Sequence, residues 1–409
     1  MKEGFLQGAT DLREESSAKR VDFAEVFAFD KPLAIAVLIL SLLGILFIYS
    51  ASNYSANVQL GDAYHYVKTQ AIAFFVGILT MFGLSFFDVE KLKKYALPLY
   101  VVGLVLLALV FLPVFGVESY GAKRWLNLGF FTIQPSEYAK FFMVMLIASF
   151  MSKHDMSKFK NMCVVLVTGG LVALLLILEP NMSITMCVVA VLFAMLFFGG
   201  IKGGHLVLLI IPVIVGAVLL VLVEPYRMKR LLAFLDPWES PLEEGYQLIQ
   251  SYYALGSGGL FGVGIGNSRQ KYLFLPFAES DFILSIIGEE TGLFGVLVIM
   301  LLFLFVAYRG IKIAKYAKTR FACYLAYGIV AVLAVQTLLN FAVVCGAIPP
   351  TGLPLPFMSA GGSSLVAYMA AMGLLLSISR NQVRFLRTDS FATQKTKNKH
   401  SMIARKQKT

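Results

Sequence analysis

Residues 321–379 contain no Asp, Glu, Lys or Arg. A run that long cannot serve as the wetted face of a soluble domain, where about 25% of residues are charged. A bilayer core of roughly 30 Å needs about 20 apolar residues of helix, so the run is long enough for two spans. Pro349, Pro350, Pro354 and Pro356 divide it, because prolines at such density cannot continue a helix. Similar uncharged or nearly uncharged runs lie at 32–52, 69–87, 95–117, 161–178, 180–201, 203–223 and 291–308. One more, 135–152, carries Glu137 and Lys140 inside it. Of the 409 residues, 58% are apolar and only 14% are charged. That excludes a soluble enzyme, a disordered chain and a disulfide scaffold. The expected fold is an all-α polytopic membrane protein with ten transmembrane helices.

The charges set the orientation. With both termini cytoplasmic, the inside segments hold 26 Lys and Arg and the outside segments hold 8, five of them in one long loop at 224–280. The expected organisation is a cytoplasmic segment 1–31, a membrane domain 32–380 and a basic cytoplasmic tail 381–409. The large extracytoplasmic loop falls between the seventh and eighth spans. The first apolar run starts at residue 32 without a small-residue cleavage site, so it reads as a span and not a signal peptide. The net charge of +11 suits an anionic cytoplasmic leaflet, and no nucleic-acid partner is expected. Cys163, Cys187, Cys323 and Cys345 fall in predicted spans without CxxC spacing and read as packing residues.

Polar groups that defy a bilayer mark where function concentrates. Lys123 and Arg124 beside Trp125 form either an interfacial anchor or a cationic lip for a phosphate. Gln134, Pro135, Ser136 and Glu137 suit a helix start, and Lys140 one turn deeper could pair with Glu137. The stretch from Gly256 to Gly266 is glycine-rich but lacks the Lys-Ser/Thr of a nucleotide loop, so a flexible or re-entrant loop is expected, with no nucleotide or organic cofactor. Ser280 or Asp281 could cap the following helix, or Asp281 could be catalytic. Glu289 and Glu290 lean towards a buried network or a cleft wall. Irregular backbone from Pro349 to Ser364 is tolerated near a membrane only when buried in protein or lining a cavity.

Four segments, GAKRW…QPSEYAK, YRMKRLLAFLDPW…GYQLIQS, SDFILSIIGEE and PPTGLPLPFMSAGGSS, occur in that order between residues 121 and 364. Together they resemble the SEDS family (shape, elongation, division and sporulation) of membrane glycosyltransferases, and the SIIGEE form is closer to its cell-division branch. The chain departs from the usual pattern at Phe277, Ser280, Asn181 and Ala360. The resemblance implies polymerisation of lipid II on the outer face of the cytoplasmic membrane, at the division septum. A sugar hydroxyl attacks an anomeric carbon and undecaprenyl pyrophosphate leaves. It implies Asp281 as general base, with Arg124, Lys123 and Lys140 as pyrophosphate partners. Glu137, Gln134, Ser280, Glu289, Ser359, Gly361, Gly362 and Ser363 are the further expected substrate-binding residues. Mg2+ or Mn2+ would suit the leaving group, and the expected partners are a class B penicillin-binding protein and other division proteins. The rivals are a flippase for the same lipid-linked precursor and, less well supported, an unrelated solute transporter.

Overall fold

The computed structural model describes residues 29–382 apart from 120, 121, 128, 130, 131 and 224. Most of the expected terminal segments, 1–31 and 381–409, therefore lies outside the described residues. A helix occupies each of the ten apolar runs. In chain order these are α1 (Lys31–Leu60), α2 (His65–Phe86), α3 (Val89–Leu109), α4 (Pro135–Met151), α5 (Phe159–Leu178), α6 (Met182–Phe198) and α7 (Gly203–Val223). The 224–280 loop adds α8 (Pro225–Leu235) and α9 (Tyr246–Gly258). The chain then continues through α10 (Ile283–Lys315), α11 (Arg320–Val344) and α12 (Gly362–Gln382). Among the described residues, α1, α2, α3, α5, α10, α11 and α12 are each long and apolar enough to cross a membrane. α11 and α12 are the most enclosed of these, whereas α3 and α10 turn most of their surface outward.

The all-α expectation needs one correction. Between α3 and α4 the chain forms an antiparallel sheet, β1 (Gly116–Ser119), β2 (Ala122–Asn127) and β3 (Thr132–Ile133), in the order β1-β2-β3. Val117 pairs with Trp125, and Leu126 with Ile133. These β-branched and aromatic pairs favour strands. Leu126 is buried, which seats the sheet on the helical body. The register skips Arg124, since Val117 pairs with Trp125 and Glu118 with Lys123, so Arg124 sits at a bulge that breaks the regular alternation of the strand.

α10 begins at Ile283, eight residues before the apolar run, and breaks at Gly292 (φ 68°, ψ −169°). The break frees backbone groups that must find partners inside the protein. The glycine-rich segment after α9 supplies them. Val263 N–H donates to the Glu289 carbonyl (2.9 Å) and Gly264 N–H to that of Glu290 (3.0 Å). The Leu293 and Phe294 amides donate to the carbonyls of Gly259 (2.9 Å) and Leu260 (3.1 Å). This segment is fixed in place, so its expected flexibility is not what the glycines provide. A side chain at Gly262 (φ +79°) would put Cβ 2.2 Å from the Glu290 carbonyl oxygen.

The Glu289 and Glu290 side chains hold the same segment. Glu289 accepts from the Arg269 amide (2.9 Å), the Gln270 amide (3.3 Å) and the Ser268 hydroxyl. Glu290 accepts from Ser50 on α1 (2.5 Å) and pairs with Lys271 (3.2 Å). The proline-rich segment packs against α1: Phe357 and Met358 are fully enclosed, and a Cβ at Gly44 would lie 2.4 Å from the Phe357 carbonyl oxygen. Gly262→Ala meets both crowding and a left-handed backbone, which together cost on the order of 1–3 kcal/mol or more. Thermal unfolding in detergent checks this: Gly262→Ala lowers Tm, whereas Gly256→Ala, with no heavy atom within 4 Å of its added Cβ, leaves it unchanged or higher.

Candidate active site

Asp281 lies in a turn that ends at the start of α10. The helix N-cap is Phe282, without a side-chain capping bond. Asp281 is therefore not the cap that its position allowed. The turn closes on the Phe277 carbonyl, which accepts from the Ser280 amide (3.1 Å), the Phe282 amide (3.4 Å) and the Ser280 hydroxyl (3.4 Å). Phe277 itself takes a left-handed backbone (φ 57°), a strained state for a bulky residue.

Two further segments, α11 and the proline-rich segment, clamp this turn. Asn340 of α11 donates to the Asp281 carbonyl (2.9 Å) and to the Leu353 carbonyl (2.7 Å). Ser359 donates its hydroxyl proton to the Ser280 carbonyl (2.6 Å) and accepts from the Leu355 amide (2.7 Å). The Ala360 amide donates to the Glu279 carbonyl (2.8 Å). At Gly352 (φ +72°) a Cβ would sit 3.0 Å from Asp281 Oδ2, so the proline-rich segment passes directly beside the carboxylate.

Two cations act on Asp281. Burial pushes its carboxyl up to about 6; the Arg124 charge opposes this, Glu279 adds to it, and Arg230 opposes it again. Arg124 Nη2 donates to the Pro180 carbonyl (2.5 Å), which brings β2 onto the junction of α5 and α6. Arg230 of α8 reaches the Pro350 carbonyl (3.5 Å) and lies 3.9 Å from Glu244. An open cavity of about 330 Å³ borders this turn, lined among others by Arg230, Glu244, Tyr246, Phe277 and Pro350. A half-buried carboxylate near neutral titration, facing guanidinium groups, can take a proton while a neighbouring anion is stabilised.

The other expected residues divide between the surroundings of this turn and the interior. Lys123 is half-buried beside Arg124 on β2. Gln134 stands at the N-cap of α4, its amide 3.3 Å from the Ser363 hydroxyl, which in turn donates to the Thr132 carbonyl (3.3 Å). The Gly361 amide donates to Gln70 of α2 (3.1 Å), and Gly362 packs on Ala73. Ser359, Gly361, Gly362 and Ser363 thus knit the sheet, α2 and the Asp281 turn together. Lys140 and Glu137 lie deeper and close on each other (2.9 Å), with Lys140 also donating to Gln336 (2.6 Å) and Tyr368 (3.3 Å). Ser364 donates to the same Glu137 oxygen (2.9 Å). Glu289 is occupied by loop amides, as described above. Arg230 and Glu179 belong to the centre although neither was singled out; the YRMKR run was the only sequence signal for Arg230.

Among the described residues no three His, Cys, Asp or Glu gather as a metal-binding group. An all-protein cage is not what these side chains offer. Mg2+ commonly rests on one or two carboxylates plus substrate phosphate oxygens, and Asp281 with Glu279 could supply such carboxylates near Arg124.

The comparisons agree with this architecture. The stage V sporulation protein E of Bacillus subtilis is 38% identical over 354 residues, covering 86% of this chain and 97% of that protein. A probable peptidoglycan glycosyltransferase FtsW of Geobacter sp. (strain M18) is 38% identical over 359 residues, covering 87% and 97%. Among solved structures, one described as the structural coordination of polymerization and crosslinking by a peptidoglycan synthase complex matches with a TM-score of 0.73 at 29% identity, covering 87% of this chain and 99% of that one. The rod shape determining protein RodA of Thermus thermophilus matches with a TM-score of 0.65 at 27% identity, covering 87% and 98%. A family model described as cell cycle protein matches residues 31–384, and the chain belongs to that FtsW/RodA/SpoVE family.

Proposed function

We propose that the chain is a peptidoglycan glycosyltransferase that polymerises lipid II on the outer face of the cytoplasmic membrane, in septal wall synthesis during cell division. The observation that carries this is the meeting of Asp281 and Arg124 in one centre, on segments held there by Asn340, Ser359 and the Pro180 carbonyl. Ten helices cross the membrane in this account, with both termini cytoplasmic, which puts the sheet, the 224–280 loop and the Asp281 turn on the outer side. Supporting it, the relatives named FtsW are called probable peptidoglycan glycosyltransferases, and the family match spans the whole membrane domain.

The chemistry follows from the charges. An Asp281 carboxylate oxygen takes the proton of the acceptor sugar hydroxyl as that oxygen attacks the anomeric carbon of the donor. The bond from the anomeric carbon to the phosphate oxygen breaks, and the electron pair leaves on the lipid diphosphate. Arg124 stabilises that developing charge, with Lys123 beside it on the strand. Mg2+ or Mn2+, when bound with the diphosphate, would neutralise part of the same charge. Exposed apolar faces, such as Val207, Ile211 and Val215 of α7, suit contact with lipid. The crosslinking partner in this account is a single-span class B penicillin-binding protein.

The intramembrane charges that a flippase would draw on are committed elsewhere. Lys140 is closed on Glu137, Gln336 and Tyr368, and Glu289 on loop amides. Polymerisation of labelled lipid II by the purified protein with its transpeptidase separates the two functions. Wild type makes glycan ladders, and Asp281→Asn, folded and still bound to its partner, loses on the order of 10²–10⁴-fold in rate. A flippase moves label across a bilayer and makes no polymer. The pH profile is a second check. Asp281 must be ionised to accept a proton, so kcat/KM rises with pH up to about 6 and levels off above it. A profile flat through that region contradicts Asp281 as the base.

A further inference from the structure

Behind Arg124, at the junction of α5 and α6, stands a carboxylic acid that the catalytic account does not use. Glu179 is 1% exposed, and neither of its carboxyl oxygens has a hydrogen-bond partner in the described residues. Two residues on, Asn181 is also buried, at 4%, and its Nδ2 likewise lacks a partner, while its Oδ1 caps α6 by accepting from the Ile184 amide (3.5 Å). Between them, the Pro180 carbonyl accepts from Arg124 Nη2 at 2.5 Å. Buried polar atoms without partners are costly and call for an explanation. Among the described residues no ion pair to Glu179 supplies that explanation; contrast Lys140 and Glu137, whose charges meet at 2.9 Å.

We propose that Glu179 and Asn181 form the floor of the diphosphate subsite that Arg124 opens, Glu179 acting as a neutral carboxylic acid that donates O–H, and Asn181 donating N–H, to phosphate oxygens. A protonated Glu179 donates to a phosphate oxygen; an ionised one would repel the anion. Burial pushes the Glu179 carboxyl up to about 8, and the Arg124 charge opposes this without reversing it. Among the described residues Arg124 is the charged group that acts on Glu179. Arg124 comes from the sheet, and on α4 Glu137 and Lys140 close on each other. Glu279 and Arg230 act on Asp281 together with Arg124. The inference rests on the assignment of the diphosphate to Arg124.

The sign follows from the raised carboxyl. Below about pH 8 Glu179 is neutral and donates; above it the carboxylate opposes a diphosphate whose own charge is constant. The test is the Kd of fluorescent lipid II for the full chain in nanodiscs, at about pH 7 and about pH 9.5. Wild-type binding weakens about tenfold more than that of Glu179→Gln, which keeps a neutral donor and binds like wild type at the lower pH. A protonated-carboxyl infrared band is present in wild type near pH 7, lost at the higher pH and absent from Glu179→Gln. Parallel pH slopes, or no such band, overturn the assignment of Glu179. Arg124→Gln distinguishes the parent assignment: it weakens binding at both pH values, and unchanged binding there would remove the diphosphate from Arg124 altogether.

Discussion

A backbone that leaves the helix in an apolar environment must find all its hydrogen bonds within the protein. The whole candidate centre depends on that condition being met three times. The break in α10 at Gly292 is closed by amides and carbonyls of the glycine-rich segment. The proline-rich segment is held by Gln336, which donates to the Pro354 carbonyl at 2.9 Å, and by Asn340 and Ser359. The Asp281 turn is closed by Phe277, Asn340 and Ser359. The same side chains serve two segments at once, so the turn that carries Asp281 is as fixed as the helices that flank it.

Charge is sorted along the same lines. Deep in the body, Lys140 meets Glu137, and Lys271 meets Glu290, each with further hydrogen bonds that offset part of the desolvation cost. At the outer centre the pattern changes. Asp281 faces Arg124 and Arg230 with its carboxyl raised by burial, and Glu179 keeps two unpaired oxygens. Groups that satisfy one another stabilise a scaffold; groups left to titrate near neutrality suit a reaction in which a proton moves and a diphosphate departs.

Hydropathy made the helical runs legible, and the proline cluster at 349–356 marked where the long uncharged stretch divides. The four polar segments were legible as a family resemblance, and three of them do converge on the Asp281 turn. What could not be read was the consequence of distant packing. Nothing near Gly292 says that Gly262 will lie against it, so the glycines looked flexible when they are closely fitted. The lean of Glu289 towards a buried network and the pairing of Lys140 with Glu137 were legible, but their other partners, Ser268 and Arg269 in one case and Gln336 and Tyr368 in the other, are remote in sequence and were not. The sheet escaped notice because its strands are only two to six residues long. Spacing alone allowed Asp281 to be a cap; the helix that starts at Ile283 with Phe282 as its N-cap removes that role.

The most direct test of this centre is a cryo-electron-microscopy structure of the Asp281→Asn protein with lipid II bound. The account predicts density for the diphosphate within hydrogen-bond distance, about 3 Å, of the Arg124 guanidinium, with the anomeric carbon turned towards residue 281. Diphosphate density against Lys140 and Glu137 in the interior, or at the cytoplasmic ends of the helices, would contradict it.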